Sequence, residues 1–212
     1  KSIDTVSSMV DMNGAITVID PYNVNAYRSV SDFNVPQNFV LNYFWQLPSP
    51  QHGLAKRLLG GWSTTGIWTW QSGFPLDINS GSDTSYSLGE SNVYGYDQAQ
   101  QIAPWQYTTG SRGQRVREWF TTNAFAKPLP NSFGNVGRNT LIGPGTFNVD
   151  FAIHRTFSLS ERFKLQYRAE LFNLLNNTQL NNPATELIDR TFGQITSARD
   201  PRIIQMALKL TF

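Results

Sequence analysis

The chain has 212 residues, with 17 Lys and Arg against 15 Asp and Glu, a formal charge of +2 and no cysteine. No basic run exceeds two residues, which excludes the electrostatic footprint of a nucleic-acid binder. The missing thiols exclude disulfides, thiolate metal sites and a cysteine nucleophile, and leave the redox compartment open. No stretch approaches the ~18 apolar residues of a membrane-spanning helix, whereas short, half-apolar membrane strands remain admissible.

The length allows one large or two small domains. Charged residues make up 15% of the chain and aromatics 13%. An ordinary soluble domain carries roughly 25% charged residues, so this composition suits a sheet with one face against something other than water. The sequence opens at Lys1 without Met or a signal-like apolar segment, as expected of a processed or excised piece.

Residues 38–47, "NFVLNYFWQL", alternate Phe39, Leu41, Tyr43, Trp45 and Leu47 with Asn38, Val40, Asn42, Phe44 and Gln46. That period of two predicts a strand. Pro48 and Pro50 stop the ladder, and a turn through Lys56 and Arg57 leads into a second strand over about 61–72. There Trp62, Thr64, Gly66, Trp68 and Trp70 share one parity. The two read as a hairpin.

From 79 to 117 the periodicity dissolves into Ser, Gly, Gln and Tyr. An irregular loop of that length is functional or disordered more often than not, which marks it as a binding candidate. "WFTTNAFAKP" then forms a local aromatic cluster, and "NSFGNVGRNTLIGPG" is turn material.

"TFNVDFAIHRTF" sets Phe147, Val149, Phe151, Ile153 and Phe157 against Asn148, Asp150, Ala152, His154 and Thr156. A tight "SLSE" turn follows. "RFKLQYRAELF" answers with Phe163, Leu165, Tyr167, Ala169 and Leu171 opposite Arg162, Lys164, Gln166, Arg168 and Glu170. After the long "NLLNNTQLNNPATELIDRTFGQ" connection, "RIIQMALKLTF" alternates to the last residue, with Ile204, Met206, Leu208, Leu210 and Phe212 on one parity.

Alternation alone fits a sandwich, with apolar side chains turned inward, and a barrel in lipid, with apolar side chains turned outward. Length separates the two: these runs reach roughly 10 to 12 residues, against a globular mode of about 5 to 6 and the ~9 to 11 tilted residues that cross a bilayer. Aromatics gather near strand ends, at Trp45, Trp62, Phe147, Phe157, Phe163, Phe172 and Phe212, as interfacial girdles require. Short turns alternate with long loops in the outer-membrane manner.

On these segments, together with "KSIDTVSS", "LLGGWSTTGIWTWQSGFPLDI", "FGNVGRNTLIGPG" and "FGQITSARDP", the chain resembles the C-terminal part of TonB-dependent outer-membrane receptors. The likeness is greatest to the Oar-like group with a carboxypeptidase-regulatory-like N-terminal domain. It covers nearly the whole chain and is strongest from residue 118 onward. It implies a place in the bacterial outer membrane, a 22-stranded barrel with a plug, and energised import of a bulky siderophore, glycan or peptide. Implied partners are outer-membrane lipid, the rest of the barrel and its plug, a TonB-type energising protein and the barrel-assembly machinery. The chain departs from the family in lacking the plug, the TonB box and more than half the barrel.

The expected fold is therefore all-β: an antiparallel up-and-down transmembrane barrel segment over 1–212, of about six to eight strands, with 79–117 a long loop. Within it, Leu208, Leu210 and Phe212 resemble the C-terminal signal read by the assembly machinery, and an unpaired edge strand can be bound by β-augmentation. Asp150, His154, Arg168 and Glu170 are the candidate polar lining of the lumen. Tyr86, Tyr94, Tyr96, Trp105 and Tyr107 are the candidate ligand platform, because flat rings stack on apolar faces of sugars or arenes. Trp68 and Trp70 are expected against lipid.

No catalytic residue, metal or cofactor is expected. His154 and Asp150 are four residues apart, about 13 Å along a strand, too far for a direct bond. No Gly-x-Ser-x-Gly elbow occurs, and "FGNVGRN" lacks the Lys-Ser/Thr of a phosphate loop. Two other readings are carried: a soluble β-sandwich or small-barrel carbohydrate-binding module, and a hydrolase using His154 or His52.

Overall fold

The computed structural model describes residues 1–5, 20, 22–87 and 96–212. They fall into two compact units, one of Gln37–Gln71, Thr146–Gln179 and Arg199–Phe212, the other of Lys1–Pro36, Ser72–Gly145 and Leu180–Ala198. Among the described residues no helix is long and apolar enough to cross a membrane.

The first unit is a single antiparallel sheet of five long strands, β1 (Asn38–Gln46), β2 (Trp62–Gln71), β3 (Thr146–Ser158), β4 (Lys164–Phe172) and β5 (Ile203–Thr211). Their order is β5-β4-β3-β2-β1, so the sheet is not closed and its outer strands β1 and β5 each keep one open edge. All five lie within two residues of the bounds that alternation predicts. A strict period of two survives only where the two faces meet different surroundings.

The pairing keeps those faces in step across the whole sheet. Leu41 stands opposite Trp68, Trp68 opposite Val149, Phe151 opposite Leu171 and Leu171 opposite Ile204. One face therefore carries Phe39, Leu41, Trp68, Trp70, Phe147, Phe151, Ile153, Leu165, Leu171 and the alternate apolar residues of β5. The other carries Asn42, Thr65, Asp150, His154, Arg168, Glu170 and Gln205, with Val40, Phe44, Ile67, Phe172 and Ile203 interspersed among them. A slip of one residue at any junction would mix the two sets.

The apolar face is open. Met206 is 69% and Leu208 70% exposed, and within this unit no second sheet covers them. Toward the middle, Val149 and Ala169 are buried, hemmed by Trp68, Ile153 and Met206 on adjoining strands. A sandwich would bury the flanks as well as the centre, so the soluble sandwich expectation fails on this face.

Connections divide by length. Residues 47–61 and the tight turn 159–163 leave the end of the sheet where the chain stops, and 72–145 and 173–202 leave the opposite end. The Lys56–Arg57 turn is in fact a short helix, α1 (Gly53–Leu59). At the turn 159–163, Leu159 N donates to Phe163 O at 2.9 Å and Phe163 N to Ser160 Oγ at 3.1 Å.

The second unit has its own core of Leu76, Ile78, Ala99, Phe120, Ala124, Phe125, Val136 and Leu141. Phe120, Phe125 and Phe192 meet edge to face, with centroids 5.4 to 6.3 Å apart. The described residues of the stretch 79–117 are thus not a featureless loop. Their pairings are two residues long or single bridges, such as Gln100–Gln101 with Phe125–Ala126 and Tyr107 with Phe120, too short for any period to show. A second helix, α2 (Arg112–Arg117), starts at a capping box between Ser111 and Gln114. Arg138 ties the first residues to this unit: it donates to the carbonyls of Tyr27 and Asp4 and forms ion pairs with Asp4 and Asp32.

One packing detail sits between the edge strand β1 and β2 on the apolar face. Tyr43 stands opposite Gly66, and a Cβ on Gly66 would lie 2.2 Å from Tyr43 Cε1. The ring lies where a side chain would be and shields the bare backbone of β2. Gly66→Ala is expected to displace the ring and to destabilise the detergent-refolded chain by about 1 kcal/mol in urea unfolding. The same change on a Tyr43→Ala background should cost less, and equal costs on both backgrounds would refute the shielding role.

Candidate functional site

Three places collect the chemistry-bearing side chains: the polar face of the sheet, the girdle on its apolar face, and the aromatic corner of the second unit.

On the polar face a cavity of about 360 Å3 is lined by Asn42, Thr65, Asp150, Arg168, Glu170 and their neighbours. Arg168 forms an ion pair with Glu170 two residues along β4. With the Arg168 side chain 56% exposed, water screens that pair and it contributes little to stability. Asp150 is engaged elsewhere: its Oδ1 accepts from Asn148 Nδ2 at 2.8 Å and from Asn173 N at 2.9 Å. That bond fixes the exit from β4, where Asn173 adopts a left-handed φ of 52°. His154 lies between Ser63 and Arg168 in the register, and its ring is 6.3 Å from that of Phe44. The four residues share one face but do not form a single charge lattice. Neither histidine lines this cavity.

Among the described residues of the long strands the apolar face has one charged exception, Arg155, which the alternation did not mark. It is 9% exposed, its Nη1 donates to Leu58 O at 2.6 Å, and its guanidinium lies 4.3 Å from the Phe157 ring centroid and 5.7 Å from that of Trp62. Trp62 Nε1 donates to the same carbonyl at 3.2 Å and its ring meets Tyr167 edge to face. From Trp62 to Trp70 the strand advances about 26 Å at ~3.3 Å per residue, the scale of the ~25 Å apolar band of a membrane barrel. Phe212, Leu208 and Leu210 lie along the open edge strand or just beyond it, all more than half exposed.

Of the expected ligand platform, Trp105 and Tyr107 come together, with centroids 5.3 Å apart and planes at 83°. Trp119 joins them 6.2 Å from Tyr107. It was missed because the bridge of Tyr107 with Phe120, which brings it there, spans residues with no common pattern. Tyr96 is half-buried and Tyr86 is 69% exposed with a left-handed φ of 58°. Among the described residues neither makes a ring contact. Tyr94 lies outside the described residues. Near this unit's core, Asp97 is fully buried and accepts from Thr84 Oγ1, Ser85 N and Ser85 Oγ. Among the described residues no group of three or more His, Asp or Glu side chains is placed to hold a metal ion.

Compared with known proteins, the chain matches the family described as "Outer membrane beta barrel domain" over residues 1–205. No curated protein matches it. No solved structure matches it either.

Asp77 gives the second unit a pH signature. Among the described residues its buried Oδ1 has no hydrogen-bond partner, although Gln98 Nε2 donates to Oδ2 at 3.1 Å. Burial raises its pKa above the usual carboxylate value, against the hydrogen bonds from Gln98 and the Asn139 N–H and the charge of Arg138, and Asp32 adds a small push in the same direction as burial. The folded state then holds this proton to higher pH than the unfolded chain. Its contribution to stability is greatest at low pH and falls as pH rises through the folded pKa. As pH rises above the usual carboxylate range of about 4, Asp77→Asn should flatten this part of the fall in urea midpoint and leave the neutral-pH midpoint at or above wild type. A neutral-pH loss of about 2 kcal/mol would mean that the ionised carboxylate is required.

Proposed function

The chain belongs to the outer membrane beta barrel domain family, and from that premise we propose that it is the C-terminal barrel segment of a TonB-dependent receptor importing a bulky ligand. Its place is the bacterial outer membrane. The observation that carries the receptor reading is the sheet itself: five membrane-length strands in one register, apolar on one face and polar on the other, with the long connections 72–145 and 173–202 at one end and short ones at the other. A small passive barrel has little use for connections that build a hydrophobic core of their own, whereas a receptor places its ligand-recognition surface there.

In this reading the apolar face meets lipid, and the Asn42, Asp150, His154, Arg168 and Glu170 face lines the lumen against the plug. The open edges of β1 and β5 pair with strands elsewhere in the barrel, since backbone N–H and C=O groups left unpaired in hydrocarbon cost several kcal/mol each. Leu208, Leu210 and Phe212 present the C-terminal strand to the assembly machinery. The segment performs no covalent chemistry; the work is binding and gated passage, energised by a TonB-type protein. The ligand class is a siderophore, glycan or peptide.

The test has two arms. Refolded with phospholipid vesicles, the chain should gain strand circular dichroism and protease protection of β1 to β5, with cleavage confined to the long connections; in plain buffer it should aggregate through its open apolar face. In cells, the polypeptide carrying this sequence should cross-link to the energising protein in a ligand-stimulated manner. Membrane insertion without any such cross-link would leave an outer-membrane barrel and overturn the receptor.

A further inference from the structure

The second unit holds a cavity of about 330 Å3 walled by Tyr107, Thr108, Arg115, Trp119, Ile142 and Gly143. Ile142 N donates to the Tyr107 hydroxyl at 2.8 Å, and Trp119 Nε1 donates to Ile142 O at 2.9 Å. Two polar handles are thus engaged by the backbone of one residue, which locks both rings. What they present to the cavity is flat apolar surface. The rings meet at 68°, forming a corner, and Trp105 supports Tyr107 from 5.3 Å. Gly143 completes the wall at a point where a Cβ would lie 2.4 Å from Asn182 Oδ1, so the backbone there is held close to its neighbours.

Among the described residues of the lining, Arg115, in the last turn of α2, is the only charged one. It is exposed, and among the described residues no carboxylate or carbonyl engages its guanidinium. The cavity therefore offers two preorganised ring surfaces and one unengaged cation with a fork of donors. The locked rings lose little freedom on binding, and the planar guanidinium loses less per hydrogen bond formed than a lysine ammonium would. The volume lies at the lower end of ligand pockets, which run from about 300 to 1,000 Å3, and accommodates one ring rather than a whole bulky ligand.

We propose that this cavity binds a ring-shaped group bearing a carboxylate, the ring stacked in the Tyr107–Trp119 corner and the carboxylate on the Arg115 guanidinium. A stacked ring leaves its edge substituents free to reach the guanidinium, and a carboxylate matches the two parallel N–H donors of that group. The chemistry is shared by a uronic acid residue at the end of an acidic glycan and by an aromatic carboxylate. The proposal deepens the receptor reading and rests on it for the use made of the ligand, but binding can be measured without import.

The probes are glucuronate, benzoate and uncharged glucose, titrated calorimetrically into the detergent-refolded chain. Glucuronate or benzoate should bind at least about tenfold tighter than glucose, as expected when a charge-assisted hydrogen bond is gained. Arg115→Gln should abolish that preference, whereas Lys127→Gln, the same change of charge at another exposed position, should preserve it. Glucuronate above benzoate assigns the acidic glycan; the reverse order assigns the aromatic acid. No binding by the folded chain, or an acid preference that survives Arg115→Gln, overturns the proposal. Failure here with intact cross-linking to the energising protein leaves the receptor reading standing. Arg115-dependent binding without that cross-link keeps the pocket and removes the receptor.

Discussion

A strand in hydrocarbon finds no water for its N–H and C=O groups, so each strand must be paired on both sides and must show lipid only apolar side chains. The rest of the structure follows from that constraint. It explains why the register between β2 and β3 is kept although the whole of 72–145 separates them in sequence. Trp68 faces Val149 and Trp70 faces Phe147, and a shift by one would set Asp150 and Asn148 beside the tryptophans on the lipid face. It also explains the low content of charged side chains, 15% of the chain, since one face of every long strand has no place for them.

Within the sheet, local chemistry serves the same end. Tyr43 covers the backbone at Gly66, where a missing side chain would leave a gap in the apolar surface. Asp150 binds Asn148 on its own strand and the N–H of Asn173, so a carboxylate on the polar face anchors the departure of the chain from β4. The polar face can hold such groups because its surroundings are wet. The apolar face has no equivalent freedom, and its single guanidinium needs a special arrangement.

The sheet was legible in the sequence because alternation is a local property: parity can be read from a single strand without knowing any partner. β1 to β5 emerge within two residues of their expected ends for that reason. The second unit was not legible, because its core is assembled from two-residue pairings between distant segments, and Ile78, Ala99, Phe120 and Leu141 share no period. Of the site residues, Asp150, His154, Arg168 and Glu170 share one parity, and the register sets them on one face of the sheet. Parity could not show that Asp150 serves Asn173 or that Arg168 turns to Glu170, because those choices depend on side-chain reach. Trp105 and Tyr107 were found as neighbours in a run of aromatics, and Trp119 escaped because only the bridge at Tyr107 and Phe120 brings it near. α1 escaped because so short a segment between two prolines and a glycine pair gives no helical period to detect.

Arg155 shows how the constraint admits an exception. A guanidinium at mid-membrane is costly, but near a strand end the headgroup region is within reach of a long side chain. Arg155 stands opposite Trp62, the first residue of β2, and three residues from the end of β3. Its charge faces the rings of Phe157 and Trp62, and its N–H reaches the Leu58 carbonyl, one of the last in α1, which has no helical donor of its own. The same carbonyl accepts from the Trp62 indole. One arginine therefore satisfies a helix end, orders the short connection against the sheet and completes an aromatic girdle, each through a bond that an aliphatic residue at this position would leave unmade. The alternation breaks at Arg155 because the membrane environment changes there, and the break marks the edge of the apolar band on the strand.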